Sequence, residues 1–161
     1  TKVNKNETLH DRTLLHLAAL EGCHELCLGL LSNGANIHAT STIQLTPLHF
    51  AAIRGHSKVV LTLLNHGANV HFANVLGLTP LHYAAQSGQL EVVKILLDRE
   101  AKIDVINKHG RTALHLAAEL GKLGVVEALL EKGAKFDIID NNGNTALHLA
   151  AQEGKLEVVK A

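Results

Sequence analysis

The chain has 161 residues, and its 15 basic and 15 acidic side chains cancel. A protein that grips a nucleic-acid backbone carries a basic excess or stripe, so nucleic acid is excluded as the main partner. Apolar residues make up 47% of the sequence but aromatic ones only 2%, with no Trp or Met, so the core has to close through Leu, Val, Ile and Ala.

In chain order, Lys2-Val3-Asn4 reads as the tail of an earlier unit, and residues 1–10 as that tail or an N-terminal lead. Thr13-Leu14-Leu15-His16 then opens a predicted helix. The same four-residue pattern returns as Thr-Pro-Leu-His at 46–49 and 79–82, and as Thr-Ala-Leu-His at 112–115 and 145–148. Gly22, Gly55, Gly88, Gly121 and Gly154 keep the same thirty-three-residue spacing, as do the Ala pairs starting at Ala18, Ala51, Ala84, Ala117 and Ala150. A period of this kind marks a repeat architecture. The units run over about 11–43, 44–76, 77–109 and 110–142, with a partial fifth at 143–161, in one domain spanning 1–161.

Within a unit, Thr46 suits an N-cap because its hydroxyl can accept a bond from a first-turn amide. Pro47 follows where a missing donor costs nothing. Leu48, Ala51 and Ala52 give the first helix a small-residue face, and Gly55 ends it. A second helix carries the apolar stripe Val59, Val60, Leu63 and Leu64. Gly67 closes that helix, and an extended stretch leads to the next unit. One unit cannot bury its stripe alone, whereas stacked units can. The sequence stops at Ala161, inside a second helix and before its Leu-Leu pair, which reads as a fragment of a longer array.

The Thr-Pro-Leu-His-x-Ala-Ala core, the Gly between helices and the Gly-Ala after the second helix resemble the ankyrin repeat family over nearly the whole chain. The resemblance implies an all-α solenoid of stacked antiparallel helix pairs, with β-hairpin loops projecting sideways and a concave face. It also implies a non-catalytic protein–protein interaction module. The chain departs from the pattern at three places. Asp11 and Gln44 stand where Gly77, Gly110 and Gly143 hold the loop tip, and Glu100 replaces a helix-ending Gly. Gly29 and Gly124 fall inside second helices, where each costs on the order of 1 kcal/mol against Ala.

Twelve histidines invite a metal or catalytic reading. His16, His49, His82, His115 and His148 each end the repeated tetrapeptide, and packed helices lie about 8–10 Å apart. Two ligands of one zinc lie within roughly 4 Å of each other, so these histidines cannot share a metal. In the family this His ties neighbouring loops and units together through both ring nitrogens. Cys23-His24-x-x-Cys27 has no closed set of four ligands, and Cys27 aligns with Val60, Val93 and Val126, which makes it a buried apolar thiol. No phosphate loop, metalloprotease helix or nucleophile elbow occurs. No catalytic residue, metal or cofactor is expected. No apolar run reaches membrane-spanning length, so no direct insertion is expected. Two cysteines are too few for a disulfide-held secreted scaffold, which points to a reducing compartment, cytoplasmic or nuclear.

The functional signal is a charge anomaly. From Leu26 to Leu90 there is no Asp or Glu, and the only formal charges are Arg54 and Lys58. Ordinary surfaces mix both signs. The family's contacts come from residues flanking the loop tip and from the pair after Ala-Ala. Carried onto this chain they are Thr42, Ile43, Leu45, Ile53 and Arg54 in the second unit, then Val75, Leu76, Leu78, Gln86 and Ser87 in the third, about half of them large and apolar. Tyr83 lies one helical turn before Gln86 and borders the same face. Lys108 and Arg111 of the fourth unit form an electrostatic rim for an acidic segment. The expected partner is a protein or peptide segment, with the fragment itself a monomer. The alternative is a structural segment of a longer array, in a channel, toxin, effector or scaffold, whose apolar tips contact the parent protein. Hydroxylation of loop residues, known in the family, falls on a position usually held by Asn, where this chain has His38, His71, Asp104 and Asp137.

Overall fold

Each Thr-x-x-His opens a helix by the same reciprocal cap. The Thr backbone is extended, with φ between −82 and −88°. Its N–H donates to Nδ1 of the His three residues on, at 3.0–3.1 Å in all five units. In the first, third, fourth and fifth units the Thr hydroxyl also accepts the His amide. This is a capping box in which imidazole takes the place of the usual Glu or Gln. Pro47 and Pro80 occupy the first turn of their helices, as the pre-set φ of proline favours.

A computed structural model describes residues 12–161; Asp11 and the Lys2-Val3-Asn4 segment lie outside the described residues. Ten helices form among the described residues. The first helices of the five units are α1 (Leu14–Glu21), α3 (Pro47–Arg54), α5 (Pro80–Gln86), α7 (Ala113–Glu119) and α9 (Ala146–Gln152). The second helices are α2 (His24–Ser32), α4 (Ser57–Asn65), α6 (Leu90–Asp98), α8 (Leu123–Glu131) and α10 (Leu156–Lys160). First helices stack on first helices along the array, and second on second. Two or three residues join the helices of a unit, so each pair folds back on itself.

The alanine pairs explain the close stacking of first helices: Ala19, Ala51, Ala52, Ala84, Ala85, Ala117 and Ala150 have no exposed surface. Leucines and valines from both helix rows fill the remainder, with Leu15, Leu63, Leu96 and Leu129 fully enclosed. The core is therefore one continuous ridge, in which each unit covers its neighbour's apolar stripe.

The projecting loops differ from the resemblance. They are tight turns and not paired strands; no strand forms among the described residues. The third tip is closed by Asn74 N–H donating to the Leu78 carbonyl at 3.0 Å and Gly77 N–H donating to the Asn74 carbonyl at 2.9 Å. Asn74 Oδ1 then accepts the amides of Leu76 and Leu78, so the turn satisfies these two donors locally. Asn107 and Asp140 repeat this device at the fourth and fifth tips. Glu100 keeps the left-handed backbone of the glycines it replaces, with φ 66°. A side chain held there costs about 1 kcal/mol.

Candidate functional site

The buried histidines are cross-ties. His16, His49, His82 and His115 have almost no exposed surface. Their Nε2 atoms bond to the carbonyls of Leu45, Leu78, Arg111 and Asn144, each 29 residues on, at 2.9–3.2 Å. Because Nδ1 accepts a backbone N–H, Nε2 carries the proton and donates to the carbonyl. Burial lowers the pKa of all four, and takes His49 from 6.5 to about 4. A proton added at Nδ1 would face the Thr amide that already points at it. These side chains are thus neutral pins between a first helix and the next loop.

Cys27 is buried, and burial raises its thiol to about 11, which suits an inert packing group. Cys23 is exposed at the start of α2. His24 turns to the Thr62 hydroxyl at 2.9 Å, joining α2 to α4. The Cys-His-x-x-Cys run is therefore dispersed over three different jobs. No three His, Cys, Asp or Glu side chains come together as metal ligands among the described residues. No helix of these residues is long and apolar enough to cross a membrane.

The proposed contact residues divide into two groups. Ile43, Val75 and Leu76 stand on the second and third tips with exposures of 50, 38 and 46%. Arg54, Gln86 and Lys108 are exposed, and Ile53 and Tyr83 are half-buried. Tyr83 belongs to the third tip, since its hydroxyl accepts from Asn74 Nδ2 at 3.0 Å and its ring meets His49 edge-on. In the fourth unit Arg111 at the tip stem touches Glu119 at the end of α7, and Gln152 reaches Asn144 in the fifth. Repeat symmetry places Ile53 beside Leu45, and Gln86 beside Leu78, in the same relation.

Three expectations need correction. Leu45 and Leu78 are only 5 and 9% exposed and cannot offer a partner much area. They sit where the stem of one tip meets the first helix of the previous unit, and their carbonyls hold His16 and His49. Arg111 is not a free rim charge: its guanidinium bonds Glu119 at 2.9 Å and Asp140 at 3.2 Å. Burial pushes the Asp140 carboxyl up, but the amides of Asn144 and Asn142 together with Arg111 outweigh that and hold it below its ordinary value.

The tips are also unevenly linked along the array. Lys108 N–H donates to the Leu76 carbonyl, and Asn141 N–H to the His109 carbonyl, so the third, fourth and fifth tips are laced by backbone bonds. Gly77 makes this possible: a Cβ there would lie 3.1 Å from the Asn107 Cα and the Lys108 amide. The second tip has Gln44 at the equivalent place, in the same left-handed conformation with φ 61°. No bond joins Val75 N–H to the Ile43 carbonyl, the pair that corresponds. Among the described residues, the junction without such a bond is flanked by exposed Ile43, Val75 and Leu76. Sequence reasoning also passed over Ile106 and Ile139, exposed on the loops of the later units, because they lie two residues before the tip positions.

A family model described as ankyrin repeats (3 copies) matches residues 15–107 and 100–161. No curated protein matches the chain closely enough to count as a relative.

Proposed function

Since the chain belongs to the ankyrin repeat family, whose members are generally protein–protein interaction modules, we propose that it binds an extended segment of a partner protein across its second and third loop tips, without catalysis. The observation that carries this reading is the exposure of Ile43, Val75 and Leu76 at an unlaced junction, in a stretch without a single acid. Three large apolar side chains there gain nothing from water, and covering them contributes roughly 25 cal/mol per Å² before the costs of association. Ile53, Tyr83 and Gln86 border the same face. Arg54 and Lys108 flank it with positive charge, which acts on on-rate and orientation more than on affinity.

Binders selected from a displayed random-peptide library, mapped by amide hydrogen exchange, test the reading. The expected footprint covers residues 42–44 and 74–77, and Ile43→Asp with Leu76→Asp removes binding without lowering the urea midpoint. A footprint confined to the second helices, or undiminished binding by that double variant, refutes it.

A second reading, as one segment of a longer array, is favoured by a different observation. Phe136, Leu147 and Val159 are exposed around an open cavity of about 910 Å³ beside α8, α9 and α10. Another helix pair of the same kind would fit there. The two readings are compatible, since they use different faces of the solenoid.

A further inference from the structure

Five residues occupy the same stem position of successive tips: Arg12, Leu45, Leu78, Arg111 and Asn144. The two arginines have opposite surroundings. Arg111 meets a carboxylate 29 residues on, Asp140, and another 8 residues on, Glu119. The positions with the same offsets from Arg12 hold Ser41 and Leu20, neither of which carries a charge. Arg12 lies over the Phe50 ring, with 4.8 Å from Cζ to the ring centroid. Its Nε is buried and meets no acceptor among the described residues. Beside it is a cavity of about 280 Å³ lined by Arg12, Ser41, Thr42, Ile43, Leu45 and Phe50.

We propose that this cavity is the anchor point for a carboxylate side chain of the partner segment, which takes the place at Arg12 that Asp140 fills at Arg111. The inference rests on the reading that a partner lies across the tips, and it specifies that partner as an apolar segment with an Asp or Glu at one end. Ile43 links the two features, being both a wall of the cavity and the first exposed apolar group of the tip face. The chemistry is favourable because a guanidinium over an aromatic ring keeps N–H groups in its own plane from which a carboxylate can accept. A buried N–H left without an acceptor is costly, so supplying one contributes to binding instead of merely replacing water. Phosphate would also match the charge. The small apolar lining from Ile43, Leu45 and Phe50 favours the stem and head of an acidic side chain over a tetrahedral group that is hydrated on every face.

The array itself suggests the decisive variant. Ser41 Oγ accepts the Leu45 amide at 3.1 Å, the bond that Asp140 makes to Asn144 and that Asn74 makes to Leu78. Ser41→Asp therefore fits the turn and brings an internal carboxylate to Arg12, while Ser41→Asn fits the turn without the charge. Peptides selected on the parent chain are resynthesised with their recurrent Asp or Glu changed to the amide. The acid form should bind the parent about tenfold or more tightly than the amide form, as expected for a charge-assisted contact. That preference should vanish in Ser41→Asp and in Arg12→Gln. Ser41→Asp should also have a higher urea midpoint than Ser41→Asn. Selected peptides without a recurrent acid, a preference that survives in Ser41→Asp, or a lower midpoint for Ser41→Asp than for Ser41→Asn each overturn the anchor. Peptides that protect Ile43 and Leu76 but show no acid preference refute the anchor and leave the tip reading standing. Peptides that bind away from the tips refute both.

Discussion

Acid should weaken this array between pH 6.5 and about 4, before its carboxylates are protonated. His49 has no exposed surface and is held from 6.5 down to about 4, chiefly by burial, with His16 and His82 nearby adding repulsion. In the unfolded chain a histidine takes its proton near 6.5. Between those values the unfolded state is protonated and the folded state is not, so stability falls as pH falls. The full contribution is present above 6.5, and the loss is complete below about 4. For His49 the difference amounts to about 3 kcal/mol, at about 1.4 kcal/mol per pH unit. His16, His82 and His115 are shifted in the same direction and add to the slope. Asp140 acts in a separate window: held below its ordinary 3.8, it contributes stability that disappears only under more acidic conditions. Urea midpoints measured from pH 7.5 to 4.5 should drop steadily below 6.5, and the imidazole resonances of His49 should stay neutral throughout the range where the chain is folded. His49→Gln, whose carboxamide also offers one acceptor and one donor, should flatten part of the slope. A midpoint unchanged between pH 7 and 5, or a His49 resonance titrating near 6.5, would refute the argument.

The remaining expectations concern stability at neutral pH. Leu45→Ser and Leu78→Ser should each cost about 2–4 kcal/mol, because both leucines are buried; urea midpoints equal to the parent's would show that they are surface residues after all. His82→Ala removes an acceptor for Thr79 and a donor to the Arg111 carbonyl, and should cost about 1–3 kcal/mol in the same assay. Gly29→Ala should stabilise by about 1 kcal/mol, since an added Cβ meets nothing within 4 Å in the exposed middle of α2. A lowered thermal midpoint would contradict that assignment.

The period and the caps were legible in the sequence because each is a local pattern copied five times; the histidine pins follow it in four copies, while His148 is exposed and keeps only its cap bonds. Glu100 was legible for the same reason: its copies at Gly34, Gly67 and Gly133 all have positive φ, and Glu100 follows them. Contacts between units left weaker traces. His56 donates to the Leu20 carbonyl and Gln89 to the Ile53 carbonyl, each 36 residues back, yet the equivalent residues are Cys23, Lys122 and Lys155. A position that varies so widely in chemistry gives no pattern to read. Leu45 and Leu78 were misplaced because a tip-flanking position is exposed in an isolated loop, and only stacking covers it. The linking of the tips left no repeated pattern to read: Gln44 keeps a glycine's backbone conformation, and no bond joins its tip to the next as Gly77 permits at the following one.

One stem position shows how a repeat acquires specificity without changing its fold. Leu45 and Leu78 fill that position with apolar volume and become core. Arg111 fills it with charge, and Asp140 and Glu119 neutralise that charge within the array, so the fourth unit has no need of an outside ligand there. Arg12 has the same side chain without either carboxylate. Any anion it acquires has to come from outside this set of residues. The acid-free stretch from Leu26 to Leu90 begins beyond Arg12 and extends under both apolar tips, so nothing on that stretch competes for the guanidinium. The same absence of carboxylates leaves these two units poor in internal ion pairs, which is the premise of the proposed acidic partner. In the fourth and fifth units internal pairing and laced tips close both routes. If the proposed anchor at Arg12 holds, this polarity would set the partner's acidic end toward the first unit and its apolar side chains over Ile43, Val75 and Leu76.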